Sequence, residues 1–592
     1  MESYIISQIQ TKRLGNMTLT LTLHDRDYTS WSFHDQDTNI EYPIQSIPSV
    51  NPLQEKLLHG DRITIDNNGR INDCVSAIKD SNASIPGILI LDGNKTYGRT
   101  PNKKRLYYKC IPFDTKLPIF LVPYNLSIGF SKTIANKYVL FTYDNWKNTH
   151  PLGTLSETIG NVDTVSAFCE YQLHCNSQTH SIKQFNRAIQ QIIYDNTEDA
   201  CVDRILQNKR FNIEDRTHEY VFSIDPQNSV DFDDAFSIQS YLNDPTLFRV
   251  SIYIANVYVW LEEFDLWDQL TDRVSTIYLP NQKYPMIPPI MSDHLCSLHK
   301  KTKRFALCMD VVVNQDGEVI YDIPFQYKNV LISVCNNFVY EEKRMQENIH
   351  YKRMYDITQK MDNTITDSHD LVAFWMIFMN SHTGSLMKQN KIGIFRTVNY
   401  ISPHKTVAQS FNQSTLQFIQ SWKNTSGQYT VYNENRELTH DMMNKDAYIH
   451  ITSPIRRVID LINQTIIMKH LHLISHTSEN SLQYINTQLT NMDNININMK
   501  SIRKIQNDCS LLHQFTIDNN IVDREFNGII IEKEMVENKQ FNYTVYIEEY
   551  KLISHVITSY DVDIHTRVPC KLFLFQDEYK LNKKIQLQLL LE

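Results

Sequence analysis

Four carboxylates fall within ten residues in the segment Ser223-Ile224-Asp225-Pro226-Gln227-Asn228-Ser229-Val230-Asp231-Phe232-Asp233-Asp234-Ala235. In an extended strand Asp231 and Asp233 would share a face while Asp234 pointed away, so bringing all four together demands an irregular loop. Without a cation that convergence is opposed by like-charge repulsion and desolvation. An oxygen-only set suits Mg²⁺, with Mn²⁺ as its substitute, meeting a phosphate rather than zinc. A calcium EF-hand is excluded, because Phe236 stands where the loop needs its glycine if Asp231 is position one. A solvated acidic turn remains the alternative from this segment alone.

A second constellation is Tyr448-Ile449-His450-Ile451-Thr452-Ser453-Pro454-Ile455-Arg456-Arg457, running into the apolar helix pattern Val458-Ile459-Asp460-Leu461. Thr452 and Ser453 are N-cap types and Pro454 suits a first helical turn, so a helix start with free N–H groups facing an anion is expected here. Arg456 and Arg457 would then lie in that first turn, against the helix dipole, a placement that an anionic ligand would offset.

Together these motifs resemble the RNase II/RNase R family, the RNB-type exoribonucleases. The family pattern I-D-x-x-x-x-x-D-x-D-D-A matches Ile224 to Ala235, and Y-x-H-x-T-S-P-I-R-R matches Tyr448 to Arg457. Between them, Arg273-Val274-Ser275-Thr276-Ile277-Tyr278-Leu279-Pro280, Pro285-Met286-Ile287-Pro288 and Ser292-Asp293-His294-Leu295-Cys296-Ser297-Leu298 match in the same order. The resemblance implies a monomeric enzyme that threads single-stranded RNA 3′ end first and hydrolyses it to 5′-nucleoside monophosphates. It implies Asp225, Asp231 and Asp234 as Mg²⁺ ligands, with Asp233 as a further ligand or the residue orienting water. Arg456 would stabilise charge on the phosphate, Tyr278 would stack on the terminal base, and Tyr340, His450 and Arg457 would contact RNA.

The chain departs from the family at Asn256, where I-A-D-V becomes Ile254-Ala255-Asn256-Val257, and at Asp460-Leu461-Ile462-Asn463-Gln464-Thr465, where D-L-x-x-H-R is usual. Neither change touches the aspartates or Arg456, so both bear on supporting contacts. Two rivals remain: an RNB-fold protein that binds RNA without cutting it, and a DNA exonuclease using the same metal logic, separated only by the 2′-hydroxyl. Retention of all four aspartates and of Arg456 favours the enzyme over the first.

At 592 residues the chain has room for about three to five domains. Residues 1–80 alternate as β structure, notably Met17 to Leu23 and Arg62 to Ile65, and a second such unit fills 81–165. Residues 166–210 are a helical linker, 211–520 hold the chemistry, and strands return over 521–592. The expected fold class is multidomain α+β: an RNB catalytic domain with two cold-shock-like OB folds before it and one S1-like OB fold after it. Because the chain starts in the first barrel and stops at Leu591-Glu592, neither an N-terminal endonuclease domain nor a basic tail is expected.

The net charge of −9 requires any polyanion contact to be local. Arg99, Lys103, Lys104, Arg105 and Lys109, interleaved with Tyr107 and Tyr108, could bind a single strand by stacking and phosphate tracking, or be ordinary surface. Lys300, Lys301, Lys303 and Arg304 form a second basic group. The aromatic and methionine stripe Phe374-Trp375-Met376-Phe378-Met379 is expected in the core. No run of 18 apolar residues occurs and Met1-Glu2-Ser3-Tyr4 opens no signal peptide, so a cytoplasmic protein without membrane contact is expected. Ten cysteines without a CxxC pair fit reduced thiols.

Overall fold

The computed structural model describes residues 17–35, 40–43, 50–66, 70–126, 134–242, 244–398, 411, 415, 427–440, 445–518, 524–536, 540–550, 552–576 and 583–590. The opening Met1-Glu2-Ser3-Tyr4 and the end Leu591-Glu592 lie outside the described residues. Two compact units are present, one of residues 1–177 with 507–592, the other of 178–506. Among the described residues no helix is long and apolar enough to cross a membrane.

The first unit is dominated by antiparallel β structure. Met17–Leu23 is the middle strand of a five-stranded sheet, and its strict alternation puts Leu19, Leu21 and Leu23 wholly out of solvent. Ile85–Leu89, Leu106–Pro112, Phe120–Tyr124, Lys137–Asn145 and Leu152–Asn161 close into a five-stranded barrel. Gly153 makes that closure possible, because a Cβ there would stand 2.7 Å from the Phe141 ring. A further five-stranded sheet is built from Glu525–Val536, Gln540–Ile547, Leu552–Thr558, Arg567–Gln576 and Lys583–Leu589. The tyrosines of the first basic cluster do not act alike. Tyr108 is fully buried, its hydroxyl bonded to Asn94, and only the half-buried Tyr107 could offer a ring to a base.

In the second unit the strands are β1 (Ile213–Asp215), β2 (Val221–Asp225), β3 (Asp234–Tyr241), β4 (Asp244–Ala255), β5 (Lys303–Asn314) and β6 (Gln326–Val339). They pair in the order β1-β6-β2-β3-β4-β5, and β5 returns to β6. β2 runs parallel to β6 but antiparallel to β3, so the end of β2 and the start of β3 meet at one end of the sheet. Runs such as Val250 to Ala255, buried on both faces, mark strands covered by helices.

The covering helices include α1 (Ile349–Met361), α2 (Ser368–Gln389) and α3 (Val458–His470). Asp367 caps α2 by accepting the Asp370 N–H, and Leu371, Trp375, Met379 and Thr383 recur every fourth residue as its buried stripe. A ribbon of β7 (Ile394–Thr397) and β8 (Gln428–Val431) and a shorter one of Ile277–Tyr278 with Lys283–Tyr284 complete the surroundings of the site. Of the second basic group, Arg304 is buried, pairing with Glu198 at 2.7 Å and donating to the Ser297 carbonyl, while its three lysines are exposed.

Candidate active site

Asp225 closes β2 and Asp234 opens β3, so the strand pairing itself brings these two carboxylates to one place. The intervening loop is held from below by Ser297. Its hydroxyl accepts the Phe232 N–H at 2.9 Å and donates to the Val230 carbonyl at 2.8 Å, and the Leu298 N–H donates to the Phe232 carbonyl at 3.0 Å. The Ala255 N–H donates to the Asp233 carbonyl at 2.8 Å, tying the end of the loop to β4.

The segment Thr452 to Arg457 is not the helix start expected from its composition. Helix α3 begins at Val458 with Arg457 at its N-cap. The preceding residues are held as a turn by the strand-like stretch at 274–276: the Thr276 N–H and Ser275 hydroxyl both donate to the Arg456 carbonyl, at 2.9 and 3.0 Å, and the Val458 N–H donates to the Val274 carbonyl. Asp460 reaches back to accept the Ser453 N–H at 2.8 Å and a donor of Arg457 at 2.8 Å. The anion that meets this turn is a side chain of the protein itself. Asp233, only 2% exposed, accepts the Ile455 N–H at 3.0 Å on one oxygen and Arg456 Nε at 3.0 Å on the other.

The four carboxylates therefore differ in what satisfies them. Asp233 is locked by Arg456 and Ile455. Asp231 accepts the Tyr278 hydroxyl at 2.7 Å and has Lys283 Nζ at 3.6 Å from the same oxygen. Asp225 and Asp234 each keep a buried Oδ2 that meets no hydrogen-bond donor among the described residues. Burial pushes the Asp225 and Asp234 carboxyls well above the usual range, each reinforced by a neighbouring carboxylate. Burial likewise lifts Asp233 to about 7, against the pull of Arg456.

Among the described residues no three acidic, imidazole or thiol groups are already gathered as a cation cage, because Asp231 and Asp233 are turned toward the protein's own cations. The orphaned oxygens of Asp225 and Asp234, hard donors in a buried place, fit Mg²⁺ or Mn²⁺.

These groups line a cleft of about 920 Å³. Tyr278 stands at its wall, 40% exposed. Tyr340 also lines it, with its ring stacked on His369 at 3.6 Å and its N–H donated to the Asp225 carbonyl. His450 lines the cleft half-buried, with Nδ1 at 2.7 Å from the Tyr429 hydroxyl. Burial and the nearby Arg457 and Arg396 hold its pKa well below the ordinary value, so it is neutral. Arg457 reaches the same cleft while paired to Asp460.

Sequence reasoning missed several lining residues. Met376, expected in the core, lines the cleft with Asn380, whereas Trp375 and Met379 of the same stripe are core. Arg396 lies 4.8 Å over the Tyr429 ring. A lone arginine inside the apolar run Ile394-Phe395-Arg396 was the available signal. Lys283 gave none. The departures have structural employment: Asn463 holds both the N–H and the carbonyl of Ile394, Gln464 donates to the Ala255 carbonyl, and buried Asn256 donates to Asn329.

The RNB domain model matches residues 213–344 and 342–473, and the Dis3-like cold-shock domain 2 (CSD2) model matches 107–176. DIS3-like exonuclease 2 of Schizosaccharomyces pombe is 26% identical over 252 residues, 41% of this chain and 26% of the relative. Exoribonuclease 2 of Vibrio parahaemolyticus is 25% identical over 338 residues, 45% of this chain and 49% of the relative. The matched part is thus half or less of these relatives' length. Among solved structures, Mycoplasma genitalium RNase R in complex with ribose methylated single-stranded RNA aligns with a TM-score of 0.61 at 16% identity, over 97% of this chain and 100% of that one. Yeast Ssd1, a pseudonuclease, aligns with a TM-score of 0.52 at 13% identity, over 97% of this chain and 83% of that one. With the acidic loop at the junction of β2 and β3 and the arginine turn locked to Asp233, residues 213–473 carry an RNB domain.

Proposed function

We propose that the protein is a metal-dependent exoribonuclease that hydrolyses single-stranded RNA from the 3′ end to 5′-nucleoside monophosphates, acting as a cytoplasmic monomer. The observation that carries this reading is the pair of buried carboxylate oxygens, on Asp225 and Asp234, left without donors in a cleft beside the Asp233–Arg456 pair. A fold used only to hold RNA gains nothing from two buried carboxylate oxygens left without a partner.

Asp225 and Asp234, joined by Asp231, would hold Mg²⁺ or Mn²⁺. When bound, the cation supplies charge neutralisation at the scissile phosphate and lowers the pKa of the attacking water. Asp233 fixes the Arg456 fork through Nε, leaving that half-exposed guanidinium to donate to the phosphate oxygens as negative charge grows on them. The exposed face of Tyr278 offers a stacking surface to the terminal base. Tyr340, Arg457 and neutral His450 line the path beyond as RNA contacts.

The rival reading, RNA binding without cleavage, has a specific precedent in the fold likeness to the Ssd1 pseudonuclease. The test is incubation of the pure protein with Mg²⁺ and end-labelled single-stranded RNA or DNA of one sequence. Release of 5′-nucleoside monophosphates from RNA is the expected result. Tight RNA binding without hydrolysis would favour the rival, and equal digestion of DNA would overturn the substrate class.

A further inference from the structure

The short ribbon beside the acidic loop pairs Tyr278 directly with Lys283, so both side chains leave the same face. They converge on one atom: Asp231 Oδ2 accepts the Tyr278 hydroxyl at 2.7 Å and lies 3.6 Å from Lys283 Nζ. The ammonium makes its short contact elsewhere, with Asp293 Oδ1 at 2.7 Å, an oxygen that also accepts the Ser292 hydroxyl at 2.6 Å. Lys283 is thus shared between two carboxylates, and its side chain is about one-fifth exposed, 21%, inside the cleft.

Arg456 and Lys283 stand in different relations to the acids they neutralise. Arg456 is bonded to Asp233 through Nε and anchored at Ser453, as a fixed part of the frame. Lys283 touches Asp231 only through charge, at the end of a flexible stem with a second partner within reach.

Resting on the metal-dependent reading above, we infer that Lys283 is the resident counter-cation of Asp231 and moves fully onto Asp293 when Asp231 takes a divalent cation. Lys283 is a positioning residue: it holds Asp231 in place in the free protein, and Asp293 is the berth that lets it leave. The ammonium and the divalent cation compete for one carboxylate a few ångströms away in a partly buried site. Charges that close and that poorly screened change an affinity by about tenfold or more.

Two substitutions are predicted to act with opposite sign, which a general loss of structure does not produce. Mn²⁺ alone is titrated into the full chain without RNA, and free Mn²⁺ is read from its electron paramagnetic resonance amplitude. Lys283→Met is expected to tighten Mn²⁺ binding about tenfold, and Asp293→Asn, which strands the ammonium on Asp231, to weaken it about threefold or more. Lys283→Arg, keeping the charge, is expected to stay much closer to wild type than Lys283→Met. Unchanged or weaker binding in Lys283→Met, or shifts of the same sign in the two variants, would overturn the inference. Asp225→Asn separates the two levels of the argument: Mn²⁺ uptake that ignores it overturns the metal reading, whereas uptake abolished by it but indifferent to Lys283 overturns the counter-cation role alone.

Discussion

Two sets of acids share the sheet of the second unit and are treated in opposite ways. Asp310 on β5 accepts both terminal nitrogens of Arg216, at 2.9 and 2.7 Å, and the Ser251 hydroxyl at 2.6 Å. Burial pushes its carboxyl up, but the bonds and charge of Arg216 outweigh that and hold it below the usual range. Nearby Glu219 is likewise met by Arg249 and by the Tyr253 hydroxyl. At the end of the same sheet, half-buried Asp225 and buried Asp234 each have a buried Oδ2 with no donor among the described residues. The first set is closed and holds strands together. The second is open, its missing positive charge has to come from outside, and groups displaced in pKa in this way concentrate where chemistry is done.

Breaking the closed network should have the largest effect on folding. Arg216→Met strands Asp310 and is expected to cost about 3–5 kcal/mol in denaturant unfolding, while a variant replacing both partners with apolar residues should recover most of it. If Arg216→Met left stability unchanged, the distinction between closed and open acids would lose its first half. Asp233→Asn is expected to lower hydrolysis at least ~10²-fold with gel-shift affinity for RNA nearly intact, because on the proposed reading Asp233 serves the reacting phosphate through Arg456 rather than the grip on RNA. Arg456→Lys keeps a charge but loses the fork. About a tenfold fall in turnover with little change in affinity is expected, and weaker binding with unchanged turnover would make Arg456 a phosphate anchor only.

The smallest effect has the opposite sign. Asp234→Asn removes an uncompensated buried acid, so in metal-free buffer the variant should be more stable than wild type by about 1 kcal/mol near neutral pH. The raised carboxyl pKa means that the folded wild type keeps a proton which the unfolded chain releases above about pH 4. Its contribution therefore falls as pH rises from there toward the raised value. Melting curves in chelator across that range should converge at the acid end and separate toward neutrality, and parallel curves would show that Asp234 carries no such burden.

How much of this was legible in the sequence depends on the kind of fact. The alternation in Met17–Leu23 announced its strand, because burial on one face fixes the period. The carboxylates and the arginine turn were legible as a set by residue type and spacing. Which acids are open was not, since this depends on partners brought from far along the chain: Ile455 and Arg456 to Asp233, and Lys283 to Asp231. The start of α3 was misplaced for a related reason. Ser453 has the chemistry of a cap, but its N–H is taken by Asp460 and its neighbours are held by residues 274–276, so the turn is set by tertiary contacts that override local preference. Met376 shows the limit of periodicity, which separates inward from outward positions but not a core from a cleft wall.

On the proposed function, the open pair, Asp225 with Asp234, is where a cation makes this fold hydrolytic. The most direct measurement follows the shortening of a 5′-labelled single-stranded RNA across a Mg²⁺ titration for wild type and Asp234→Asn, with RNA binding measured in parallel. Stepwise shortening by wild type that saturates with Mg²⁺ and stops in chelator, together with a variant that binds RNA but stays inactive at every Mg²⁺ concentration, is the predicted result. Hydrolysis by Asp234→Asn at the wild-type rate, or hydrolysis by wild type undiminished in chelator, would contradict it.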